Sequence, residues 1–344
     1  MRLRLLGTSG LRVSELCLGT MTFGTDWGWG ADRETSAKIF DAYVNAGGNF
    51  IDTSCNYTNG SSETFVGEFI QRERDYFVVA TKYTLQMATG NRRDPHLGGN
   101  SRKTLLRSVE GSLKRLQTDH IDLLYLHMWD FTTPVEEVLR TVDDLARSGK
   151  VLYFAFSDTP AWVVSQAVAI ANLRGWTAPI AFQFPYNALS RAAERDVMPM
   201  CRSLGLTMLP WGLLSGGALT GKYNSPSSAP KRDADASDRE KQMAETIMAM
   251  AQETGHTPSQ IAINWVRQQK GEVIPILGAR TEAQIHDNLG ALDFALTDDQ
   301  IQRLRDATDF KIDFPMAFLR SDNVINLCFG ETYALLDNHH AQPV

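Results

Sequence analysis

Short apolar runs alternate with longer amphipathic stretches along most of this chain. The runs are rich in β-branched and aromatic residues, as is typical of buried strands. Between them, apolar residues recur every three or four positions, which indicates helices that bury one face. Eight strands are predicted in this way, at 16–23, 50–53, 77–82, 121–127, 151–157, 180–184, 207–211 and 273–277.

Each predicted strand is followed by a predicted helix, so the chain repeats a β-α unit eight times. Parallel strands need crossover helices, and eight such units favour an α/β fold of the (β/α)8 TIM-barrel type. Two predicted helices, at 237–254 and 297–308, lie outside the minimal repeat. Helix starts of the capping-box type, Ser or Thr followed three residues later by Glu or Gln, occur at 133–136, 237–240, 257–260, 281–284 and 297–300.

Three further segments add to the eight predicted strands and their helices. Segments 3–6 and 11–13 flank Gly-Thr-Ser-Gly, which predicts an N-terminal β-hairpin that closes one end of the barrel. The Ser- and Pro-rich stretch 224–236 lies inside the seventh unit and predicts a surface loop rather than a domain linker. We therefore predict one domain over 1–344, with a core at about 6–310 and a C-terminal tail, 311–344, near the barrel mouth.

Composition and charge narrow the class of protein. The chain has 344 residues, of which 43% are hydrophobic and 22% charged, as expected of a globular protein with a sizeable core. Its net charge is −6 and it has no long basic block, so we expect no nucleic-acid partner. It has no apolar stretch of membrane-spanning length, so we expect a cytoplasmic protein without a membrane partner. Its four cysteines stand far apart, so we expect neither disulfides nor a cysteine zinc site.

Four ionisable residues follow neighbouring predicted strands, where a barrel of this type carries its reactive groups. Asp52, Lys82 and His127 stand at the ends of strands, and Tyr57 follows one turn after Asp52. A free phenol has a pKa near 10, so a tyrosine that exchanges protons near neutral pH needs an adjacent cation. We expect Lys82 to lower the pKa of Tyr57 and Asp52 to hold the lysine.

This set of residues leaves the reaction open. His127 suits the orientation of a carbonyl oxygen, and no metal is needed for such chemistry. A reductase would combine the four groups with a bound hydride donor, whereas a lyase would use Lys82 to form an imine with its substrate. A cofactor site would decide between the two.

Two later segments suit the phosphates of a nucleotide. Segment 216–222 matches a phosphate loop as far as Lys222, but Tyr223 replaces the Ser or Thr that binds magnesium, which disfavours phosphoryl transfer. Its backbone amides still suit a pyrophosphate. Segment 277–281 leads into a capped helix start, where Arg280 would clamp a phosphate monoester.

Aromatic side chains follow several of the predicted strands. Trp27 and Trp29 follow the first strand, Trp129 follows the fourth, and Trp211 ends the seventh. Aromatic rings at these places predict an apolar mouth and a surface on which a planar ring can stack.

Taken together, these residues resemble the aldo-keto reductase family from about Leu6 to Leu292. The resemblance implies a (β/α)8 barrel that binds NADPH without a Rossmann domain and reversibly reduces an aldehyde or ketone to an alcohol. The hydride would come from C4 of the nicotinamide. The motifs that carry the resemblance are Leu18-Gly19-Thr20, Phe23-Gly24, Phe50-Ile51-Asp52-Thr53 with Tyr57, Ala80-Thr81-Lys82, Asp122-Leu123-Leu124-Tyr125-Leu126-His127, Gln183, and the segment 276–289.

The resemblance also implies a role for each site residue. Tyr57 looks like the general acid, Lys82 and Asp52 like the pair that lowers its pKa, and His127 like the residue that orients the carbonyl. Trp211 is similar to the aromatic residue that stacks on the nicotinamide. The implied cofactor contacts are Gly19, Thr20, Met21, Asp52, Ser157, Asp158, Gln183, Trp211, Gly212, Leu213, Leu214, Gly216, Lys222, Gly278, Arg280, Gln284 and Asn288, and the residues expected near the substrate are Trp27, Trp29, Met128 and Trp129.

Two positions depart from the pattern of the family. Position 158 is Asp where many relatives have Asn, and Gly278 stands where a lysine is often found near the 2′-phosphate. Arg280 is then the main charged clamp, and NADH stays possible beside NADPH. The partner implied is a small carbonyl or alcohol substrate; the alternative is a regulatory protein that binds the cofactor with little turnover. The sequence indicates no oligomeric state.

Overall fold

Eight parallel strands hydrogen-bond side by side in the centre of the fold, in chain order except that the last of them pairs with the first. The computed structural model describes residues 1–86, 94–224 and 236–337. The strands are β3 Cys17–Gly19, β4 Phe50–Asp52, β5 Val78–Tyr83, β6 Ile121–Leu126, β7 Val151–Ser157, β8 Pro179–Pro185, β9 Thr207–Trp211 and β10 Ile276–Gly278.

The two edge strands of this sheet meet through residues just before β10. Met208 of β9 forms a parallel bridge with Val273, and the amide of Ile274 donates to the carbonyl of Met208 at 2.9 Å. This contact nearly closes the sheet into a barrel, which confirms the predicted (β/α)8 fold.

Helices cover the outside of the barrel, and the two extra helices are α7 and α10, as predicted. Apolar residues of the helices pack against the outward-facing side chains of the strands in one large buried cluster. The helices are α1 Arg33–Asn45, α2 Ser61–Ile70, α3 Arg102–Leu116, α4 Val135–Arg147, α5 Ala161–Arg174, α6 Val197–Leu204, α7 Asp238–Thr254, α8 Pro258–Arg267, α9 Glu282–Leu289, α10 Asp298–Asp306, α11 Met316–Leu319 and α12 Asp322–Phe329.

Three of the predicted capping boxes are present, at 237–240, 257–260 and 297–300. In each, the N-cap hydroxyl accepts from the third helical amide, and the third side chain accepts from the N-cap amide. The box predicted at 133–136 is wrong, because α4 begins after a proline and the hydroxyl of Thr133 donates to Asp130 at 2.9 Å instead.

The first and last barrel strands are shorter than predicted. The strand predicted at 16–23 ends at Gly19, because the chain then turns away and Phe23 bridges Ala31 within the following loop. The strand predicted at 273–277 begins only at Ile276, and Val273 contributes a single bridge.

The predicted N-terminal hairpin is confirmed as the antiparallel pair β1 Leu3–Leu5 and β2 Arg12–Ser14. It covers the end of the barrel where the strands begin, because the amide of Gly7 donates to Thr207 Oγ1 at 2.6 Å. Gly7 has φ 55°, and a Cβ there would lie 2.0 Å from the carbonyl oxygen of Ile180, so glycine is required.

Past the last barrel helix, the start of the C-terminal tail lies against the segment before α6. Arg195 donates to the carbonyl of Lys311 at 3.2 Å and pairs with Asp313, and the guanidinium of Arg191 lies 4.8 Å from the ring centre of Phe310.

The single-domain organisation over 1–344 and the tail near the mouth stay predictions. Residues 225–235 of the predicted loop and 338–344 of the tail lie outside the described residues. None of the helices in the described ranges has the length and apolar character that a membrane crossing requires.

Candidate active site

Strand alternation places the candidate site side chains at one end of the barrel. Phe50, Ala80 and Tyr125 are among the residues packed inside the barrel. Side chains on a strand alternate between faces, so a residue two positions later points inward again, one layer nearer the mouth. The inward positions at the carboxyl ends are occupied by Asp52, Lys82, His127, Ser157, Gln183 and Trp211.

The ammonium group of Lys82 is fully buried and joins three partners. Its Nζ lies 2.5 Å from Asp52 Oδ1 and donates to the carbonyl of Thr53 at 2.8 Å and to the hydroxyl of Tyr57 at 3.1 Å. The other carboxylate oxygen of Asp52 accepts from Gln183 Nε2 at 2.9 Å. The structure thus brings Asp52, Tyr57 and Lys82 together as one hydrogen-bonded chain.

Burial and the neighbouring charges together set the proton affinities of Tyr57 and Lys82. Burial raises the pKa of Tyr57 above its ordinary value, and the nearby Lys82 lowers it only in part. Lys82 thus lowers the pKa of Tyr57 as predicted, but burial and the charge of Asp52 outweigh it, so the net pKa is raised. Burial lowers the pKa of Lys82, but Asp52 and Tyr57 outweigh it and hold that pKa above its ordinary value. At neutral pH the phenol carries its proton and the lysine is charged.

His127 completes the predicted set of four. Its ring lies 5.9 Å from the ring of Tyr57 at an interplanar angle of 80°. Burial, and then the charge of Lys82, lower the pKa of His127 well below its ordinary value, so the imidazole is neutral at pH 7. A neutral imidazole donates from one nitrogen and accepts at the other, and the partner of Nδ1 decides which.

Two residues around His127 have no predicted role. Ser54 Oγ lies 3.2 Å from His127 Nδ1 and 2.7 Å from Asn56 Oδ1. The hydroxyl has one proton, so it cannot donate to both atoms at once. No signal in the sequence pairs Ser54 with His127, because the two lie 73 residues apart and meet only through the barrel.

Aromatic rings line the mouth beside Tyr57. The ring of Trp27 packs edge-on against Tyr57 at 6.4 Å, and Trp29 lies 5.8 Å from Trp27. Gly30 shapes this loop, since it has φ 126° and a Cβ there would lie 2.1 Å from the carbonyl oxygen of Gly24. The structure thus brings Trp27 to the ring of Tyr57, with Trp29 next to Trp27.

The other two predicted substrate residues directly follow His127. Met128 is 37% exposed, so a large apolar side chain stands open to solvent at this end of the barrel. Trp129 is half-buried, and its amide donates to the carbonyl of Asp158 at 3.4 Å. This contact joins the loop after β6 to the end of β7.

A buried hydroxyl without a partner marks the floor of the mouth. Ser157 Oγ is fully buried and has no hydrogen-bond partner among the described residues. An unpartnered buried hydroxyl is costly, so the position suits a polar group brought by a ligand. Trp211 stands close by with 40% of its surface exposed, and its indole N–H lies 3.4 Å from Asp158 Oδ1. A flat ring that carries a carboxamide, as a nicotinamide does, fits these residues.

The glycine-rich loop after β9 turns through residues with positive φ. Gly212 has φ 73° and Gly216 has φ 63°. Lys222 Nζ donates back to the carbonyl of Gly216 at 3.2 Å, so the lysine braces the loop. Leu213 is buried and Leu214 half-buried, so backbone groups rather than these side chains are suited to contact a pyrophosphate.

The predicted adenosine segment is held by its own polar side chains. Gln284 Oε1 accepts from the amide of Arg280 at 2.8 Å, so Gln284 does not complete the capping box predicted at 281–284. Asn288 Nδ2 donates to the carbonyl of Gly278 at 3.1 Å. These bonds fix the turn from which Arg280 projects, before the start of α9.

The loop after β3 is tied to the neighbouring strand. Thr20 is fully buried, and its hydroxyl contacts the carbonyl of Asp52 at 2.9 Å and Ser62 Oγ at 2.8 Å. Its side chain therefore positions the loop. Gly19 and Met21, on either side of Thr20, are half-buried, so they are the parts of this loop that a ligand can reach.

Comparison with known proteins finds a matching family and several relatives. The model of the Aldo/keto reductase family matches residues 15–309. A norsolorinic acid reductase of Aspergillus flavus is 39% identical over 92% of this chain and 83% of its own length. A putative aryl-alcohol dehydrogenase of Saccharomyces cerevisiae is 35% identical over 94% of this chain and 91% of its own length. An aryl-alcohol dehydrogenase [NADP(+)] of Phanerodontia chrysosporium is 36% identical over 89% of this chain and 85% of its own length.

Proposed function

Because this chain belongs to the aldo/keto reductase family of nicotinamide-dependent oxidoreductases, we propose that it uses NADPH to reduce an aldehyde or ketone reversibly to the alcohol. The observation that carries the proposal is the hydroxyl of Tyr57, which lies 3.1 Å from Nζ of the charged Lys82, on a ring whose centre is 5.9 Å from that of His127. A proton donor with an adjacent cation is what carbonyl reduction needs from a protein.

Tyr57 is the general acid in this mechanism. The chemistry that a bound nicotinamide supplies is transfer of a hydride from C4 to the carbonyl carbon. Tyr57 gives its proton to the carbonyl oxygen, and its raised pKa keeps that proton in place at neutral pH until the oxygen becomes basic. Lys82 donates to the phenol oxygen, so it stabilises the phenolate that remains. Asp52 fixes the lysine in that position.

His127 orients the substrate. Its neutral ring can donate from Nε2 to the carbonyl oxygen when Nδ1 accepts from Ser54. The hydroxyl of Ser54 can donate to Nδ1 only if Asn56 no longer accepts its proton. Asn56 must then turn its amide so that the NH2 group, rather than the oxygen, faces Ser54. Amide oxygen and nitrogen are nearly equal in shape, so this turn needs no rearrangement of the backbone.

NADPH is the proposed cofactor, with NADH as a weaker substitute. Ser157 and Trp211 would hold the nicotinamide, and the loop from Gly212 would follow the pyrophosphate. Arg280 would clamp the 2′-phosphate at the start of α9, which NADH lacks. The naming of one relative as an NADP(+) enzyme supports this choice.

The substrate class that we propose is an aromatic aldehyde or ketone. Trp27 lies edge-on to Tyr57 and next to Trp29, so a flat ring held against them would bring its carbonyl to the phenol. Two of the relatives are named for aryl alcohols, which supports the same class.

The alternative of a lyase that works through Lys82 is disfavoured. An imine requires a neutral amine with a free lone pair. Lys82 carries its charge, with a raised pKa, and its three protons point to Asp52, Thr53 and Tyr57. A regulatory protein without turnover is the other alternative. It is disfavoured because all four groups expected of a reductase are present, namely Asp52, Tyr57, Lys82 and His127.

A titration of tryptophan fluorescence tests the proposal. NADPH should quench the emission by stacking against Trp211, and Arg280→Ala should weaken the binding of NADPH more than that of NADH. Oxidation of NADPH in the presence of aromatic aldehydes should follow. Binding without turnover on any carbonyl would favour the regulatory alternative, and absence of binding would refute the cofactor. Trapping of substrate on Lys82 by borohydride would favour the lyase.

We also propose a cytoplasmic location. Cys17, Cys55, Cys201 and Cys328 are free thiols, which fits a reducing compartment. Fractionation of the cells that produce the protein would test this.

A further inference from the structure

Asp158 brings a second carboxylate to the mouth of the barrel. It directly follows β7, with φ 38° in the left-handed region, which Asp and Asn adopt more readily than most residues. Its amide donates to the carbonyl of Gln183 at 3.2 Å, and its carbonyl accepts from the amide of Trp129 at 3.4 Å. The backbone of Asp158 is therefore fixed by β8 on one side and by the loop after β6 on the other.

The carboxylate of Asp158 is half-buried beside the proposed nicotinamide site. Its Oδ1 lies 3.4 Å from the indole nitrogen of Trp211, and its chain neighbour Ser157 carries the unpartnered hydroxyl. Burial raises the pKa of Asp158 to about 6, although the indole and the charge of Lys82 oppose this rise. The group is ionised at pH 7 and above, and its charge raises the pKa of Tyr57.

The charges at the mouth do not cancel. Lys82 and Asp52 form a pair with no net charge, and Tyr57 and His127 are neutral at pH 7. Asp158 therefore leaves this group of residues with one negative charge. The two redox forms of a nicotinamide differ by one positive charge on the ring, so the field of Asp158 acts on them unequally.

We propose that Asp158 sets the redox-state preference of the cofactor site, because its carboxylate stabilises the oxidised, cationic nicotinamide over the reduced, neutral one. This inference rests on the proposed function, since it requires a nicotinamide beside Ser157 and Trp211. Tighter binding of the oxidised form makes the bound reduced form a stronger hydride donor. A tenfold difference in affinity corresponds to about 30 mV in the potential of the bound couple.

Asp158→Asn is the matched test. Asparagine has the same shape and tolerates the left-handed backbone, so the variant removes the charge and little else. Asp309→Asn is the control, because it makes the same substitution at a carboxylate that is 91% exposed just before the tail. Dissociation constants for NADP+ and NADPH are measured by isothermal titration calorimetry at pH 8, and thermal unfolding checks that each variant folds.

The expected result is a change in one affinity only. Asp158→Asn should weaken NADP+ about tenfold, or about 1.4 kcal/mol, and change NADPH less than threefold. Asp309→Asn should change neither. Equal effects on both cofactor forms, or no effect, would overturn the inference while leaving the proposed function in place. Failure of the wild-type protein to bind either form would overturn both.

A pH series gives a second, independent reading. In the wild type, the dissociation constant for NADPH divided by that for NADP+ should rise from pH 5 to pH 7, because ionised Asp158 tightens the binding of NADP+. In Asp158→Asn this ratio should not change with pH. The ratio cancels the titration of the 2′-phosphate, which both forms share. A rise that persists in the variant would assign the effect to another group. The other groups that face this region are Trp211 of β9, Lys82 of β5, Asp52 of β4, Tyr57 after β4, and His127 after β6.

Discussion

The hydroxyl oxygen of Ser54 lies 3.2 Å from Nδ1 of His127. Substitution of this hydroxyl therefore changes which tautomer the histidine adopts. In Ser54→Ala, Nδ1 loses its partner and both tautomers become accessible, so we expect a modest loss of kcat and unchanged cofactor affinity. Steady-state kinetics beside cofactor titrations checks this.

The neighbouring Asn56 allows a sharper version of the same prediction. In Asn56→Asp the new carboxylate accepts the proton of Ser54, so Nδ1 must donate to Ser54 and Nε2 becomes an acceptor. Loss of the Nε2 donor should lower kcat about a hundredfold, more than in Ser54→Ala. Equal activity in the two variants would remove Ser54 from the control of His127.

The ion pair of Asp52 and Lys82 should contribute strongly to stability. Both groups are buried, so Asp52→Asn leaves an uncompensated charge and should lower the free energy of unfolding by about 3 kcal/mol. Glu68→Gln, which breaks the exposed pair with Arg33, is the control and should cost less than about 1 kcal/mol. Urea denaturation measures both. A similar small loss in the two variants would contradict the buried-charge argument.

The two directions of the reaction should differ in pH dependence. The pKa of Tyr57 is raised by burial, so the protonated acid needed for reduction persists through neutral pH and is lost only in alkali. Oxidation of the alcohol needs the phenolate, so its rate should rise about tenfold per pH unit from pH 7 to pH 9. Lys82→Met removes the opposing cation and should move that rise to higher pH. Single-turnover rates of oxidation that do not depend on pH would contradict this assignment.

The hairpin at the bottom of the barrel should not tolerate a side chain at position 7. In Gly7→Ala the new Cβ would lie 2.0 Å from the carbonyl oxygen of Ile180, and the residue would keep a positive φ. We expect a loss of at least about 2 kcal/mol in unfolding free energy. Gly10→Ala is the control, since a Cβ there meets nothing within 4 Å. Equal stability of the two variants would mean that the hairpin does not cover the barrel.

The sequence was sufficient to predict the barrel and the strand ends that carry Asp52 and Lys82, because both depend on short-range periodicity. The alternation that buries Phe50 and Ala80 also points Asp52 and Lys82 inward two residues later. The strand lengths were less predictable. Phe23 is as apolar as a strand residue, but it bridges Ala31 across a loop rather than another strand.

The electrostatics of the site were not predictable from residue types. Proximity to Lys82 predicted a lowered pKa for Tyr57, but burial has the opposite and larger effect, and burial depends on the packed structure. The contact of Ser54 with His127 is of the same kind, since residues distant in sequence meet only when the sheet closes. Such contacts leave no pattern along the chain.

The most direct test of the account is the rate of NADPH oxidation by Tyr57→Phe with an aromatic aldehyde, measured beside the dissociation constant for NADPH. The variant loses only the phenolic oxygen that Lys82 contacts. We expect unchanged NADPH binding and a loss of turnover of at least about a hundredfold. Turnover close to that of the wild type, with NADPH still bound, would contradict the role of Tyr57 as the acid and with it the proposed mechanism.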